Sequence, residues 1–231
     1  MNVDANIAEI EKRIFYTFKN KELVKCALTH SSFTNELKIN KWENYQRLEF
    51  LGDAVLELVS SEFLYEGNSV MSEGKMSKVR ASMVCEPALA FCARKINLGE
   101  LILLGKGEEL GGGRERNSIL SDVFEAIIGA IYQDGGLEEA RKFIHKFVLD
   151  DVEENQLFVD SKSILQEKIQ AETGSTLCYK LIAENGPEHD KSFEVAVYIN
   201  DECMATAIGH NKKDAEQQAA YQVLKKMKEA K

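Results

Sequence analysis

Apolar residues recur at three- and four-residue intervals through most of the first 150 positions. That spacing places them on one face of an α-helix and is typical of amphipathic helices that pack around a common core. It predicts helices over residues 6–18, 21–29, 45–65, 74–84, 86–96, 118–133 and 137–149. Asn44 precedes the third of these segments and is a favourable N-cap residue. We therefore predict an all-α architecture for this part of the chain.

The pattern changes beyond Leu149. Residues 150–159, DDVEENQLFV, are rich in acidic side chains, lack a helical period and are interpreted as a linker. Downstream, apolar and polar residues alternate in short runs, which is typical of strands with one buried face. The predicted order is a helix (163–173), three strands (178–183, 192–200 and 202–208) and a closing helix (212–227). We therefore predict two domains, an all-α domain over 1–149 and an α+β domain of order α-β-β-β-α over 160–231.

The charge of the chain argues against a general attraction to polyanions. Its 231 residues include 29 basic and 38 acidic side chains, which give a net charge of −9. Even residues 159–231 hold 10 lysines against 12 acidic residues. A nucleic acid would therefore be bound through local clusters of lysine or through bridging cations.

The five cysteines do not have the spacing of a zinc site, so we expect them to be free thiols.

Two carboxylates share one face of the predicted helix over 45–65. Glu49 and Asp53 are four residues apart and therefore lie one turn apart, with Gln46 on the same side. Like charges at this spacing repel each other unless a cation lies between them. Gly52 is unfavourable inside a helix, but it allows another backbone to approach closely. A solvated polar face is the alternative interpretation of such a pair.

A second acidic pair interrupts the most apolar of the predicted helices. Asp122 and Glu125 are three residues apart and project from one face of that helix. Carboxylates in such a setting are unfavourable unless they are paired or bind a metal. Two helices with two carboxylates each would form an all-oxygen site, which suits Mg²⁺ or Mn²⁺ and metal-assisted phosphoryl chemistry. A di-iron oxidase is disfavoured, because no glutamate is followed by a histidine three residues later.

These motifs resemble those of ribonuclease III. RLEFLGDAVL at 47–56 resembles the signature of that family, and LSDVFEAIIGAIYQDGG at 120–136 resembles its second acidic motif. LTHSSF at 28–33 and EGKMS at 73–77 resemble two shorter motifs. The motifs follow the order of the family, and with the C-terminal motifs they cover nearly the whole chain. The architecture and length resemble those of the bacterial members.

The resemblance implies a divalent-metal-dependent endoribonuclease that hydrolyses double-stranded RNA. It implies that Glu49, Asp122 and Glu125 bind Mg²⁺, with Mn²⁺ able to substitute, and that Asp53 and Glu125 are catalytic. The expected products have 5′-phosphate and 3′-hydroxyl ends with short 3′ overhangs. The expected substrates are precursors of ribosomal RNA and some messenger or transfer RNAs. Gln46 departs from the family, which often has a glutamate at this position.

The C-terminal third resembles a double-stranded-RNA-binding domain. The matching segments are DSKSILQE at 160–167, GPEH at 186–189 and NKKDAEQ at 211–217. The resemblance implies that Gln166 and Glu167 meet 2′-hydroxyls in one minor groove and His189 meets a second. Lys212 and Lys213 begin the last predicted helix, where backbone amides and the helix dipole also favour phosphate.

The resemblance also implies a homodimer that forms through the nuclease domain, with each subunit cutting one strand. The predicted helix over 45–65 has more apolar surface than one small domain needs, which favours such pairing. The alternative is a non-catalytic double-stranded-RNA-binding protein with a decayed nuclease domain, but all four carboxylates are present.

No apolar run is long enough to cross a bilayer, and the N-terminus lacks a signal-peptide pattern. We therefore expect a cytoplasmic protein without membrane contact.

Overall fold

Two units of different class follow one another along the chain. The computed structural model describes residues 3–38, 43–67, 70–150, 157–158, 161–171, 175–186, 191–209 and 211–229. Its contacts divide the chain into Met1–Val152 and Glu153–Lys231, and each unit has its own hydrophobic core. The division falls within the predicted acidic linker, most of which lies outside the described residues. Among the described helices, none combines the length and the apolar character that crossing a membrane requires.

The first unit is helical, as the spacing of its apolar residues predicts. Its α-helices are α1 (Val3–Ile14), α2 (Lys21–Ala27), α3 (Ser31–Leu37), α4 (Gln46–Gly67), α5 (Glu73–Val84), α6 (Glu86–Lys95), α7 (Lys106–Leu110), α8 (Asn117–Gly135) and α9 (Leu137–Ile144). Short 3₁₀ turns occupy Leu98–Leu101 and Gly113–Glu115, and a π-helical turn (His145–Leu149) follows α9.

Some helix boundaries differ from the prediction. The first predicted helix extends to Phe18, but α1 ends at Ile14 because Phe15 adopts a φ of 58°, which a right-handed helix cannot continue. Phe18 is still buried in the core, which explains its apolar signal. The pattern does not predict α3 or α7, because neither has a buried apolar stripe: α3 buries Thr34 alone, and α7 buries none of its residues.

The central helix of the first unit is α8. From Ile119 to Ile131 most of its residues are buried, whereas Asp122 and Glu125 are only partly buried. A helix that is apolar around most of its circumference must be covered on several sides. The helices α2, α4, α6 and α9 all pack against it. Its two carboxylates therefore project from a helix that is packed on several sides.

The second unit is a three-stranded antiparallel sheet with one helix before it and one after it along the chain, as predicted. In chain order, its elements are α10 (Ser161–Ala171), β1 (Leu177–Asn185), β2 (Ser192–Ile199), β3 (Glu202–Gly209) and α11 (Lys212–Glu229). The strand order is β1-β2-β3, and Val197 lies opposite both Tyr179 and Ala205. Asn200 and Asp201 have positive φ and form the two-residue turn between β2 and β3, a conformation that suits these residue types.

The core of the second unit lies between the sheet and its two helices. Leu165 and Ile169 of α10 are buried against α11 and the sheet. Small residues at Ala219 and Ala220 let α11 lie close to these partners, and Val223 fills the space beside them.

Candidate active site

The two acidic helices touch backbone to backbone. A Cβ atom on Gly52 of α4 would lie 1.8 Å from the carbonyl oxygen of Glu125 on α8. A Cβ atom on Gly129 of α8 would lie 2.2 Å from the carbonyl oxygen of Leu48 on α4. No side chain fits at either position, so the two glycines set the distance between the helices. The sequence indicates the close approach at Gly52 but not its counterpart at Gly129.

This crossing brings carboxylates from both helices together. One ligand oxygen from each of Glu49, Asp122 and Glu125 lies within 4.8 Å of the other two, and all three side chains are partly buried. Hard divalent cations bind oxygen ligands at about 2.0–2.6 Å, so oxygens at these separations can share one ion. An all-oxygen set of this kind fits Mg²⁺ or Mn²⁺ better than zinc.

Asp53 lies at the rim of this cluster. It is exposed and is not among the three carboxylates whose oxygens converge. Its charge nevertheless raises the pKa values of Glu49 and Glu125, so it lies within their electrostatic reach. Gln46 is exposed one turn before Glu49 on α4, and its amide adds no charge to the site. The structure thus brings three of the four predicted carboxylates into one cluster and places the fourth beside them.

Burial and mutual repulsion raise the pKa values of the clustered carboxyl groups. For Glu125, loss of solvent is the largest cause, followed by the charges of the other three carboxylates, and its pKa rises to about 8. Loss of solvent, followed by the charges of Asp122 and Asp53, raises the pKa of Glu49 to about 7. Burial also raises the pKa of Asp122, against the opposing effect of its hydrogen bonds. A bound cation relieves such repulsion, so the electrostatics of the cluster favour cation binding.

The residues that precede α4 fix both the helix start and one of these carboxylates. Asn44 Oδ1 accepts a hydrogen bond from the backbone N–H of Gln46 at 3.1 Å, so Asn44 caps α4 as predicted. The adjacent Tyr45 is only 5% exposed, and its hydroxyl donates to Asp122 Oδ2 at 3.1 Å. The motifs do not indicate Tyr45. Its position between a cap residue and an acidic helix is the only signal that the sequence offers.

In the second unit, the predicted contacts to the minor groove lie on α10. Gln166 and Glu167 are both exposed there. The nearby Lys162 forms an ion pair with Glu216, which ties α10 to α11. His189, the third residue predicted to meet a minor groove, lies outside the described residues.

The predicted phosphate contacts lie at the start of α11. Lys212 and Lys213 are exposed in its first turn, and Asn211 Oδ1 accepts a hydrogen bond from the N–H of Asp214 at 2.9 Å. Lys212 Nζ is 3.0 Å from a carboxylate oxygen of Glu184 on β1. The sequence does not indicate this ion pair, because the two residues are far apart along the chain. A phosphate would therefore compete with Glu184 for the charge of Lys212.

Comparisons with known proteins match both units. A family model described as Ribonuclease-III-like matches residues 20–152, and a model described as a double-stranded RNA binding motif matches residues 161–227. The chain is 47% identical over 221 residues to Ribonuclease 3 of Caldanaerobacter subterraneus subsp. tengcongensis, covering 94% of this chain and 96% of that protein. It is 44% identical over 228 residues to Ribonuclease 3 of Geobacillus kaustophilus, covering 98% of this chain and 93% of that protein.

Solved structures resemble the first unit. The nuclease domain of ribonuclease III from Campylobacter jejuni is 45% identical and superposes with a TM-score of 0.58, covering 65% of this chain and 95% of that domain. Another structure of the same domain is 46% identical, with a TM-score of 0.56 and coverage of 61% of this chain and 97% of that domain. The latter is described as showing structural flexibility in a region involved in dimer formation.

Proposed function

The chain belongs to the ribonuclease III family, and from this premise we propose that it is a divalent-metal-dependent endoribonuclease that hydrolyses double-stranded RNA. The observation that carries the proposal is the convergence of Glu49, Asp122 and Glu125 from two helices in backbone contact. A double-stranded RNA binding motif follows in the same chain and supplies the means to hold the substrate. The products would have 5′-phosphate and 3′-hydroxyl ends with short 3′ overhangs.

The proposal divides the work between two domains. Residues 1–149 form the nuclease and dimerisation domain, residues 150–159 form an acidic linker, and residues 160–231 form the RNA-binding domain. The division of contacts after Val152 supports these bounds, as do the ranges that the two family models match. Precursors of ribosomal RNA and some messenger or transfer RNAs, processed in the cytoplasm, are the substrates that we propose.

Glu49, Asp122 and Glu125 would hold the cation, which we propose is Mg²⁺, with Mn²⁺ able to substitute. When bound, such a cation activates water for attack on phosphorus and compensates the charge on the departing 3′ oxygen. Glu49 and Glu125, whose pKa values are about 7 and about 8, bind protons over part of the neutral pH range in the ion-free protein. They must release these protons before their oxygens can serve as ligands.

We assign catalysis to Asp53 and Glu125. Asp53 is exposed at the rim of the cluster, where its carboxylate can orient a water molecule or accept its proton while RNA approaches. Glu125 is partly buried, and its backbone carbonyl lies against Gly52 of α4, which fixes the point at which its side chain leaves α8. Gln46 retains a hydrogen-bonding amide where the family often has a charged glutamate, and we give it no catalytic role.

The second unit would bind the duplex through exposed side chains of α10 and α11 and through His189. Gln166 and Glu167 on α10 are exposed and would contact 2′-hydroxyls in one minor groove, and we assign His189 to a second. Lys212 and Lys213 at the start of α11 would contact the intervening phosphates. These contacts read the shape of an A-form helix rather than its sequence.

We further propose a homodimer that forms through the nuclease domain, with each subunit cutting one strand. Phe50, which is adjacent to Glu49 on α4, is 80% exposed, and Tyr65 near the end of the same helix is 77% exposed. Large aromatic side chains with this exposure are typical of a surface that another chain covers. The Campylobacter jejuni nuclease domain, which is described with a region involved in dimer formation, supports this assignment.

The decisive test is Glu125→Gln, which preserves size and removes one charge from the cluster. We expect cleavage of a long RNA duplex at millimolar Mg²⁺ to fall by more than about 100-fold, because a ligand and its charge are lost. Duplex binding should persist, because the RNA-binding residues lie in the other unit. Glu66→Gln, which changes an exposed glutamate of α4, should cleave normally. Normal turnover by Glu125→Gln would contradict the proposed site.

A further inference from the structure

We propose that Tyr45 makes the site selective for Mg²⁺ over larger cations, because it leaves Asp122 with one free oxygen. This inference rests on the proposed metal site and adds a positioning residue to it. The Tyr45 hydroxyl donates to Asp122 Oδ2 at 3.1 Å. One oxygen of the carboxylate is therefore engaged by a neutral donor, and the other remains available as a ligand.

The hydroxyl donor is fixed in position. The backbone N–H of Tyr45 donates to the carbonyl of Thr29 at 3.0 Å, and the Tyr45 carbonyl accepts from the N–H of Glu49 at 2.9 Å. Its ring is buried and lies with its centroid 5.6 Å from that of His30. The main chain of Tyr45 is thus fixed at the start of α4, and the packing of its buried ring holds the hydroxyl at Asp122.

The motif LTHSSF at 28–33, to which the catalytic proposal gives no role, supports this arrangement. The backbone N–H of Ser32 donates to His30 Nδ1 at 3.1 Å, and Ser32 Oγ lies 2.7 Å from the same nitrogen. The Ser32 hydroxyl also accepts from the N–H of Gly105 at 2.9 Å. Leu103 forms backbone hydrogen bonds with this segment in both directions, at 2.8 and 3.0 Å. The His30 ring that packs against Tyr45 is therefore held from two parts of the chain.

A second hydroxyl near Asp122 is not equivalent to that of Tyr45. Ser121 is also within hydrogen-bonding reach of the Asp122 carboxyl. However, its hydroxyl donates to the carbonyl of Ser118 at 2.9 Å, and a hydroxyl has a single proton. Within the described part of the chain, the Tyr45 hydroxyl donates its proton to Asp122 and to no other acceptor. Tyr45 is thus the donor that restricts this carboxylate.

A carboxylate with one engaged oxygen suits the smaller cation. Mg²⁺ requires nearly octahedral coordination at about 2.0–2.1 Å and keeps several water ligands. Ca²⁺ accepts six to eight oxygens at about 2.3–2.6 Å and often takes both oxygens of a carboxylate. Removal of the Tyr45 hydroxyl would free Oδ2 of Asp122 and let that carboxylate rotate or bind through both oxygens. We expect this change to weaken Mg²⁺ binding and to leave Ca²⁺ binding unchanged or stronger.

The test measures metal binding without RNA or cleavage. The full-length protein and Tyr45→Phe are titrated with MgCl₂ or CaCl₂ at constant temperature, and binding is followed by titration calorimetry. The midpoint is the metal concentration that half-saturates the site. For Tyr45→Phe we expect the Mg²⁺ midpoint to increase by about 10-fold, the lower range for loss of a residue that orients a ligand. The Ca²⁺ midpoint should not increase.

Tyr16→Phe is the matched control. Tyr16 donates to Asp134 Oδ2 at 2.7 Å, about 18 Å along α8 from Asp122. This variant should unfold at a lower temperature with both midpoints unchanged. An unchanged Mg²⁺ midpoint in Tyr45→Phe, or equal shifts for both cations, would overturn the role of Tyr45. If Glu125→Gln keeps the wild-type Mg²⁺ midpoint, the metal site itself is overturned.

Discussion

The two units of this chain arrange their charged residues in opposite ways. In the helical unit, three carboxylates converge while partly buried, and their pKa values rise because they lose solvent. For Glu49 and Glu125, repulsion by neighbouring carboxylates raises the pKa further. In the α+β unit, the lysines assigned to RNA are exposed, and Lys212 is already paired with Glu184. The first arrangement lowers stability and favours the binding of a cation. The second changes stability little, and its effect on RNA binding depends on whether each lysine pairs with a protein carboxylate or with an RNA phosphate.

This difference indicates what each function depends on. Interactions between partly buried charges are screened little, so the carboxylate cluster is sensitive to the distance between two backbones. Exposed ion pairs contribute about 0–1 kcal/mol each and are screened by salt. The nuclease site should therefore respond to small geometric changes, whereas the RNA-binding surface should respond to changes in charge and ionic strength.

The largest expected effect is that of Gly52→Ala, which would place a methyl group 1.8 Å from the Glu125 carbonyl oxygen. Because two backbones must separate, we expect the first unit to lose about 3 kcal/mol of unfolding free energy. Stabilisation by Mg²⁺ should also decrease, since the carboxylates of the two helices move apart. Denaturant unfolding with and without Mg²⁺ measures both effects.

Gly74→Ala is the control for this substitution. Gly74 lies in α5, and a Cβ atom there would meet nothing within 4 Å. Alanine should therefore change the unfolding free energy by less than about 1 kcal/mol, in the stabilising direction. Wild-type stability in Gly52→Ala would show that the crossing of α4 and α8 is not held by this contact.

A second expected effect is the pH dependence of stability in the ion-free protein. The pKa values of Glu49 and Glu125 are raised to about 7 and about 8, so the folded protein binds their protons more tightly than the unfolded chain does. Their contribution to stability is present at low pH and is lost as pH rises through these values. We expect the unfolding temperature to fall between about pH 5 and pH 8, and stabilisation by Mg²⁺ to grow over the same range.

Thermal unfolding of Glu125→Gln across this pH range tests the cause. The variant lacks the carboxyl with the higher pKa, so its unfolding temperature should depend less on pH than that of the wild type. Glu66→Gln, at an exposed position of α4, should retain the wild-type dependence. Identical pH profiles for all three proteins would mean that the cluster does not limit stability.

The smallest expected effects concern the surface of the second unit. Replacing Lys212 and Lys213 by alanine should weaken duplex binding regardless of RNA sequence. It should also flatten the log–log dependence on salt by roughly one unit for each lysine. Glu184→Gln removes the competing carboxylate 3.0 Å from Lys212, so it should tighten binding by up to about fivefold. Affinity measured against salt concentration, with Ca²⁺ to suppress cleavage, gives both quantities.

Lys225→Ala provides the comparison within the same helix. Lys225 is exposed on α11 but lies more than three turns from its N-terminus, so its loss should leave the salt dependence unchanged. Cleavage at saturating RNA should be nearly normal in all of these variants, because the carboxylates lie in the other unit. Equal slopes for wild type and the double lysine variant would place the phosphate contacts elsewhere on the domain.

The sequence alone predicts a structural feature wherever the residues that determine it are close together in the chain. The spacing of Glu49 and Asp53, and that of Asp122 and Glu125, follows from helical geometry, as does the cap that Asn44 provides. The alternation of apolar residues likewise predicts the three strands. These features depend on neighbours within a few positions, so they can be read without knowing how the elements pack.

Other features were decided by packing between distant parts of the chain. Gly129 meets Leu48, and Tyr45 donates to Asp122 77 positions away. Nothing in the sequence near Gly129 or Tyr45 specifies its partner, because the partner depends on how the helices cross. Sequence spacing could therefore place two carboxylates on each helix. Only the backbone contact between α4 and α8 brings three of these carboxylates within reach of one cation. The helices approach this closely because Gly52 and Gly129 have no side chains at the crossing.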